Sequence, residues 1–293
     1  MHAEKMSQSR DETRAGYEAR MLRVVQYIHA NLNGDLSLDR LADVACMSRF
    51  HWHRVYHSMT GETLANAIRR IRLHRAAGYL LRSDKTIEDI AGHCGYPSVQ
   101  SFNRTFKAGM SVTPGAFRKD GAELPTLGLT KNGVFAMYEI TIKDEPARHI
   151  AAVPHKGSYQ KVGEAFEKLS AIFTSRNLWP KSGEAVGVYY DDPSSVAEAE
   201  LRSHAGMVVS ADVDVSEGLE PVDLPAGPHA VLRYVGPYAG LDTPYTYLFG
   251  EWLPKSGREV RNSPSFEVYL NSPQDTPANE LITDIYLPLE PAK

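Results

Sequence analysis

The sequence predicts a two-part chain: an all-α tandem helix-turn-helix domain followed by an α+β domain of two pseudo-symmetric βαββ repeats. Three observations predict it. Residues 38–118 state one helical pattern twice, residues 135–289 repeat a strand-rich pattern once, and the charge divides between the two halves. Residues 1–120 hold 18 Lys+Arg against 12 Asp+Glu, a net of +6, whereas residues 121–293 hold 14 against 24, a net of −10. A basic front and an acidic back suit a nucleic-acid binder joined to a module with other partners.

The 293 residues suffice for two domains, and a content of 42% hydrophobic and 23% charged residues is that of a globular chain. Two cysteines give no disulfide framework, which suits a reducing cytosol. No apolar run approaches the ~20 residues of a membrane span. A cytoplasmic, nucleoid-associated place is therefore expected, with no membrane partner.

Residues 1–16 are polar and mixed in charge, and read as a disordered leader. The helical domain is expected over 17–120. Met21, Leu22, Val25, Ile28 and Leu32 recur at helical spacing, and Asn33-Gly34-Asp35 ends that helix. Ser37 and Ser48 are placed to cap the next two helices. A spacer helix over 64–82 carries Ile68, Ile71, Ala76 and Leu80 on one face. The second unit follows over 86–94 and 98–107, and 121–134 reads as a linker.

A helix-turn-helix braces one helix so that the next can enter the major groove. The first recognition helix carries Arg49, Phe50, His51, His53, Arg54 and His57 around core Trp52 and Tyr56, and the second carries Val99, Gln100, Ser101, Asn103, Arg104 and Lys107 around core Phe102 and Phe106. Arginine can pair with a guanine edge and glutamine with adenine, while Phe50 or Val99 can meet a thymine methyl. Lys107 suits phosphate. His53 and His57 stand at i, i+4 without an evident third ligand, so no metal site is expected. In the turns, Gly95 of the second unit corresponds to Cys46 of the first, and positive φ is costly for cysteine. Both cysteines are expected to be buried as small apolar side chains.

The ordered signature resembles the DNA-binding domain of the AraC/XylS family. Its parts are Leu-Ala-x-x-Ala-x-Met-Ser, Thr60-Gly61, Arg-Leu-x-Arg-Ala-Ala, Ile-Ala-x-x-x-Gly-Tyr, Ser-Phe-x-Arg-x-Phe-Lys and Thr-Pro-x-x-x-Arg. That resemblance implies base reading at Phe50, His53 and Arg54 in the first unit and at Val99, Gln100, Ser101 and Arg104 in the second. Two units on one chain predict an asymmetric DNA site of about two helical turns, with faces ~34 Å apart.

In the second half, Lys156-Gly157-Ser158-Tyr159 matches Val235-Gly236-Pro237-Tyr238 at a spacing of 79, and Gly187-Val188-Tyr189 matches Glu267-Val268-Tyr269 at 80. These motifs, with Trp252-Leu253-Pro254 and Thr283-Asp284-Ile285-Tyr286, make residues 135–289 similar to the GyrI-like small-molecule-binding domain. The resemblance implies a groove for bulky aromatic or cationic compounds. The duplication itself singles out Glu267, because a carboxylate in an apolar strand needs a partner or a ligand. It could reach solvent, pair with an arginine, or act as a pocket acid walled by Tyr159, Trp179, Tyr189, Tyr238, Trp252, Phe266, Tyr269 and Tyr286.

The expected partners are double-stranded DNA, RNA polymerase and a small effector, with no cofactor. The main reading is a non-enzymatic, ligand-responsive transcription regulator. The alternative is a small-molecule hydrolase or toxin-sequestering protein using Glu267 as base, although no nucleophile–His–acid set accompanies it.

Overall fold

The computed structural model describes residues 2–120 and 138–292. Seven helices open the chain: α1 (His2–Ala30), α2 (Leu38–Ala45), α3 (Trp52–Thr60), α4 (Leu64–Arg82), α5 (Ile87–His93), α6 (Val99–Met110) and α7 (Pro114–Asp120). The pairs α2/α3 and α5/α6 are the two helix-turn-helix units, and α4 is the spacer. α1 starts well before the expected Tyr17 and takes in residues 2–16 of the segment read as a leader. No proline interrupts that run, and a single glycine costs a helix only about 1 kcal/mol. The expected linker 121–134 lies outside the described residues.

Local chemistry explains the helix boundaries. Ser37 Oγ accepts from Arg40 N, and Thr63 and Ser98 cap α4 and α6 in the same way. Thr86 and Asp89 form a reciprocal capping box on α5. Ser48 departs from expectation. α3 begins at Trp52, and Ser48 Oγ instead accepts from Phe50 N and donates to Asn262 Oδ1 at 3.2 Å. The two turns differ as their residues require. Cys46 is left-handed at φ 52 and Gly95 at φ 73. A Cβ on Gly95 would lie 2.0 Å from Leu32 O, so glycine is obligatory there. Cys94 is buried, but Cys46 is exposed, correcting the expectation that both are buried.

The second half is one eight-stranded antiparallel sheet: β1 (Ile140–Glu145), β2 (Arg148–Lys156), β3 (Ser182–Tyr189), β4 (Arg202–Val209), β5 (Glu220–Leu224), β6 (Gly227–Val235), β7 (Ser265–Tyr269) and β8 (Ile282–Pro288). Their spatial order is β1-β6-β8-β7-β3-β4-β2-β5. β3 and β7 pair at its centre, with Gly187 opposite Glu267. α8 (Gly163–Ser175) packs on Ala151, Val153 and Ala205. α9 (Asp242–Tyr247), a π-helical turn (Leu248–Trp252) and α10 (Leu253–Lys255) cover Ala230, Leu232, Ile285 and Leu287. Gly157 and Gly236 both have positive φ, and donate their N–H to Leu201 O and Leu281 O respectively.

The cores divide the chain differently from the sequence. Phe102, Phe106 and Phe117 centre a core that the second helix-turn-helix unit shares with Leu73, Ala76, Ala77 and Leu80 of α4. Trp52, Val55, Tyr56 and Leu41 of the first unit instead share one continuous core with Leu248, Phe249, Leu253 and Ile285. The first unit is thus packed into the sheet domain.

Candidate functional site

The centre of the sheet builds the site. Side chains alternate across a strand, so Gly187 and Tyr189 of β3 share a face with Glu267 and Tyr269 of β7. With no side chain on Gly187, the Tyr189 and Tyr269 hydroxyls meet across it at 2.6 Å. A Cβ there would lie 2.6 Å from Tyr269 Oη and 2.9 Å from Tyr189 Oη. Glu267 is 3% exposed and accepts two bonds, from Tyr245 Oη at 3.0 Å and from Tyr269 Oη at 2.8 Å.

Burial pushes the Glu267 carboxyl up to about 7, although both tyrosine bonds and the Arg54 charge pull it down. Burial, and next the Glu267 charge, holds the phenols of Tyr189, Tyr245 and Tyr269 well above their usual range. All three stay protonated and able to donate. Tyr159 and Tyr238 complete the aromatic ring: Tyr159 lies 4.8 Å from Tyr189, and Tyr238 lies 5.3 Å from Tyr269, centroid to centroid.

An arginine closes the cluster. Arg54 of α3 is 8% exposed, and its guanidinium carbon lies 4.8 Å from the Tyr245 centroid and 5.6 Å from that of Phe249. Its Nη2 donates 2.7 Å to Asp191 O, while Nη1 is buried with no hydrogen-bond partner among the described residues. Burial raises the Asp192 carboxyl, but the Arg54 charge leads the effects that outweigh it and leave it below the usual range. Neighbouring contacts fix α3 in place. His51 Nε2 sits 2.7 Å from Ser263 O, and its ring stacks on Phe249 at 5.6 Å. A Cβ on Gly250 would lie 2.7 Å from Ser58 Cβ, so only glycine lets the π turn approach α3 this closely. Burial above all lowers His51 to about 3 and His53 to about 4, and the Arg54 charge lowers both further.

The expected pocket residues therefore separate. Glu267, Tyr159, Tyr189, Tyr238 and Tyr269 come together. Phe266 and Tyr286 stack on each other at 4.6 Å on the opposite sheet face, under Arg148. Strand alternation dictates this, since Phe266 and Glu267 are neighbours in sequence. Trp179 is 43% exposed against Phe173, and Trp252 packs on the core shared by the two domains. Sequence reasoning missed Tyr245, Phe249 and Asp191 as parts of the cluster. The signal available was the i, i+4 spacing of Tyr245 and Phe249 on one helical run.

The candidate DNA-reading residues also divide. On α6, Gln100, Arg104 and Lys107 are exposed, and Val99 and Ser101 are half-buried. On the first unit, Phe50 is half-buried, 6.4 Å from the Tyr190 ring, whereas His53 and Arg54 are buried against the sheet domain. In this conformation the α6 face is open to solvent and the α3 face is packed against the sheet domain. The reason is the shared core, which turns the α3 face inward.

Fold and site together define a tandem helix-turn-helix module joined to a curled-sheet domain with an acid-and-tyrosine centre. The chain belongs to the GyrI-like small molecule binding domain family, whose model matches residues 138–290, and it carries an AraC-type unit, matched over 41–120 as a helix-turn-helix domain. It is 35% identical over 102 residues to the uncharacterized HTH-type transcriptional regulator YbfP of Bacillus subtilis, covering 35% of each chain. It therefore spans about a third of the length of that relative. It is 28% identical over 153 residues to "Probable transcriptional regulator YgiV" of Escherichia coli, covering 52% of this chain and 96% of that one. Among solved structures, the EcmrR C-terminal domain matches 54% of this chain and 100% of its own, at 18% identity and a TM-score of 0.43. Among the described residues, no helix is long and apolar enough to cross a membrane.

Proposed function

We propose that this chain is a sequence-specific DNA-binding transcription regulator of the AraC type, with activity that responds to a small aromatic or cationic effector bound at Glu267. The observation that carries this reading is a buried carboxylate ringed by tyrosines on the same chain as an open reading helix, α6. A carboxylate taken out of water is costly without a compensating charge, and aromatic faces attract cations. Glu267, Tyr159, Tyr189, Tyr238 and Tyr269 would hold the effector. Gln100, Ser101, Arg104 and Val99 would read bases, Lys107 would meet phosphate, and Phe50, His53 and Arg54 would read a second groove face once α3 is free. The site would be asymmetric and about two turns long, with RNA polymerase as the further partner and the cytoplasm as the place of action.

Support for a duplicated βαββ origin of residues 135–289 comes from the central pairing of Gly187 with Glu267, eighty positions apart in sequence, and from the matched Gly157 and Gly236 turns. One observation favours a catalytic second reading: a carboxyl near pH 7 is poised to act as a general base. Glu267 nonetheless has its oxygens engaged by two tyrosine bonds, so we assign it binding rather than hydrolysis.

Calorimetric titration with aromatic cations and their neutral isosteres tests this, together with genome-wide binding maps taken with and without the compounds that bind. Cation-selective binding that Glu267→Gln abolishes, and a map that changes on binding, are expected. Turnover of an electrophilic aromatic compound that Glu267→Gln removes would favour the hydrolase. An unchanged map would overturn effector control.

A further inference from the structure

We infer that Arg54 is a built-in occupant of the Glu267 site, so that a small planar cation and the first reading helix compete for one place. This inference rests on the ligand-site reading above and deepens it into a mechanism of regulation. The bound cation takes the position of the guanidinium over Tyr245 and Phe249, α3 leaves the sheet domain, and its base-reading face becomes free for DNA.

The chain itself provides the comparison that identifies Arg54 as an exchangeable occupant. Arg148 also stacks on two aromatic rings, at 5.3 and 5.1 Å, but it is fully committed, bonded to Glu145 at 2.8 Å and to Glu184 at 3.1 Å. Arg54 has the same aromatic bedding with one backbone carbonyl and, among the described residues, a buried Nη1 without a partner. A buried cation with unmet donors is costly to keep. Glu267 and Asp192 both feel its charge, and neither bonds it. A ligand that satisfies those acids directly gains what Arg54 leaves unused.

Sequence and position complete the argument. Arg54 lies among the base-reading positions of the first unit, yet it points into the other domain and away from solvent. His53 beside it is buried there too, while Arg104, its counterpart in the second unit, is exposed. A helix cannot lie in the major groove while the face that reads bases is packed against protein. In this conformation one unit can read DNA and the other is withheld. A ligand gains differential affinity for the released state only by displacing what holds the closed one, and the Arg54 position meets that condition.

The test uses benzamidine, a phenyl ring bearing a planar amidinium, with neutral benzamide as control, on the full chain. Its affinity is measured by calorimetry for wild type, Arg54→Gln and Gly250→Met, and hydrogen exchange is followed in Trp52–Thr60. Gly250→Met drives its side chain into Ser58, whose Cβ would already lie 2.7 Å from the added Cβ, and forces α3 away. If the open form is at most about a tenth of the population, both variants bind benzamidine about tenfold or more tightly than wild type. Benzamidine also speeds exchange in α3 of the wild type, and benzamide does not. Equal affinity for all three proteins, lost with Glu267→Gln, and unchanged α3 exchange would overturn the occupancy of Arg54 while leaving the ligand site standing. No binding by any variant, Arg54→Gln included, would overturn the ligand site and this inference with it. Should Gly250→Met fail to fold, Arg54→Gln decides alone.

Discussion

The Arg54 guanidinium lies 4.8 Å from the centroid of Tyr245, and the hydroxyl of that same Tyr245 donates 3.0 Å to Glu267. One tyrosine thus links a reading helix to the acid at the centre of the sheet. On the proposed function, events at Glu267 and events at DNA would bear on the same side chain.

Glu267→Gln should change stability with a defined pH dependence. Its folded value of about 7 stands above the 4.5 of a free glutamate, so the native state holds the proton more tightly. Between those values the native state binds more protons than the unfolded one, and stability falls as pH rises. Removing the charge should therefore stabilise the protein by up to roughly 3 kcal/mol at pH 8, with the gain vanishing near pH 4. Urea unfolding of both proteins across that range measures it. A gain that grows toward acid pH would contradict the assignment.

The histidines at the seam should act in the opposite sense. His51 and His53 are held at about 3 and 4, so they are neutral where they are buried, and they regain an ordinary value near 6.5 once released. The released state then binds more protons below pH 6.5, and docking of α3 weakens as pH falls through that window. Hydrogen exchange in α3 at pH 7 and pH 5, corrected for intrinsic rates, should show loss of protection at the lower value. The variant His51→Gln/His53→Gln should flatten the difference.

Cys46→Gly should stabilise the chain. Cys46 is exposed with φ 52, a conformation that costs a residue with a Cβ about 1–2 kcal/mol. The gain should be close to 1 kcal/mol after the added backbone freedom of glycine is subtracted. Thermal unfolding with a raised midpoint is the expected readout.

Gly187→Ala should damage the site from beneath. Its methyl would sit 2.6 Å from Tyr269 Oη and 2.9 Å from Tyr189 Oη, forcing the two rings apart. Overpacking of this kind costs roughly 1–3 kcal/mol and should weaken cation binding with it. Calorimetry of the variant that shows wild-type affinity would place the ligand elsewhere.

Much of this was legible before the fold. The limits of the spacer helix, Leu64–Arg82, follow from its periodicity, and the cores of the reading helices follow from Trp52, Tyr56, Phe102 and Phe106. Glu267 was singled out by the duplication alone. Strand alternation already separates Phe266 from Glu267, so that misplacement was avoidable. Docking of α3 was not legible. It depends on Gly250 standing opposite Ser58, a contact between residues nearly two hundred positions apart that leaves no local period in the sequence.

Arg54 and Arg104 should differ in what they contribute to DNA binding without a ligand. On a duplex selected from random sequence, Arg104→Ala should cost ~1–3 kcal/mol and relax specificity at its position. Arg54→Ala should cost little in the wild-type background and a similar ~1–3 kcal/mol when combined with Gly250→Met, a coupling that a double-mutant cycle isolates.

The most direct measurement is a hydroxyl-radical footprint on that duplex, wild type beside Gly250→Met, without ligand. Withholding of α3 predicts protection of one groove face by the wild type, and of two faces about one helical turn, ~34 Å, apart by the variant. The same two-face footprint from both proteins would contradict it.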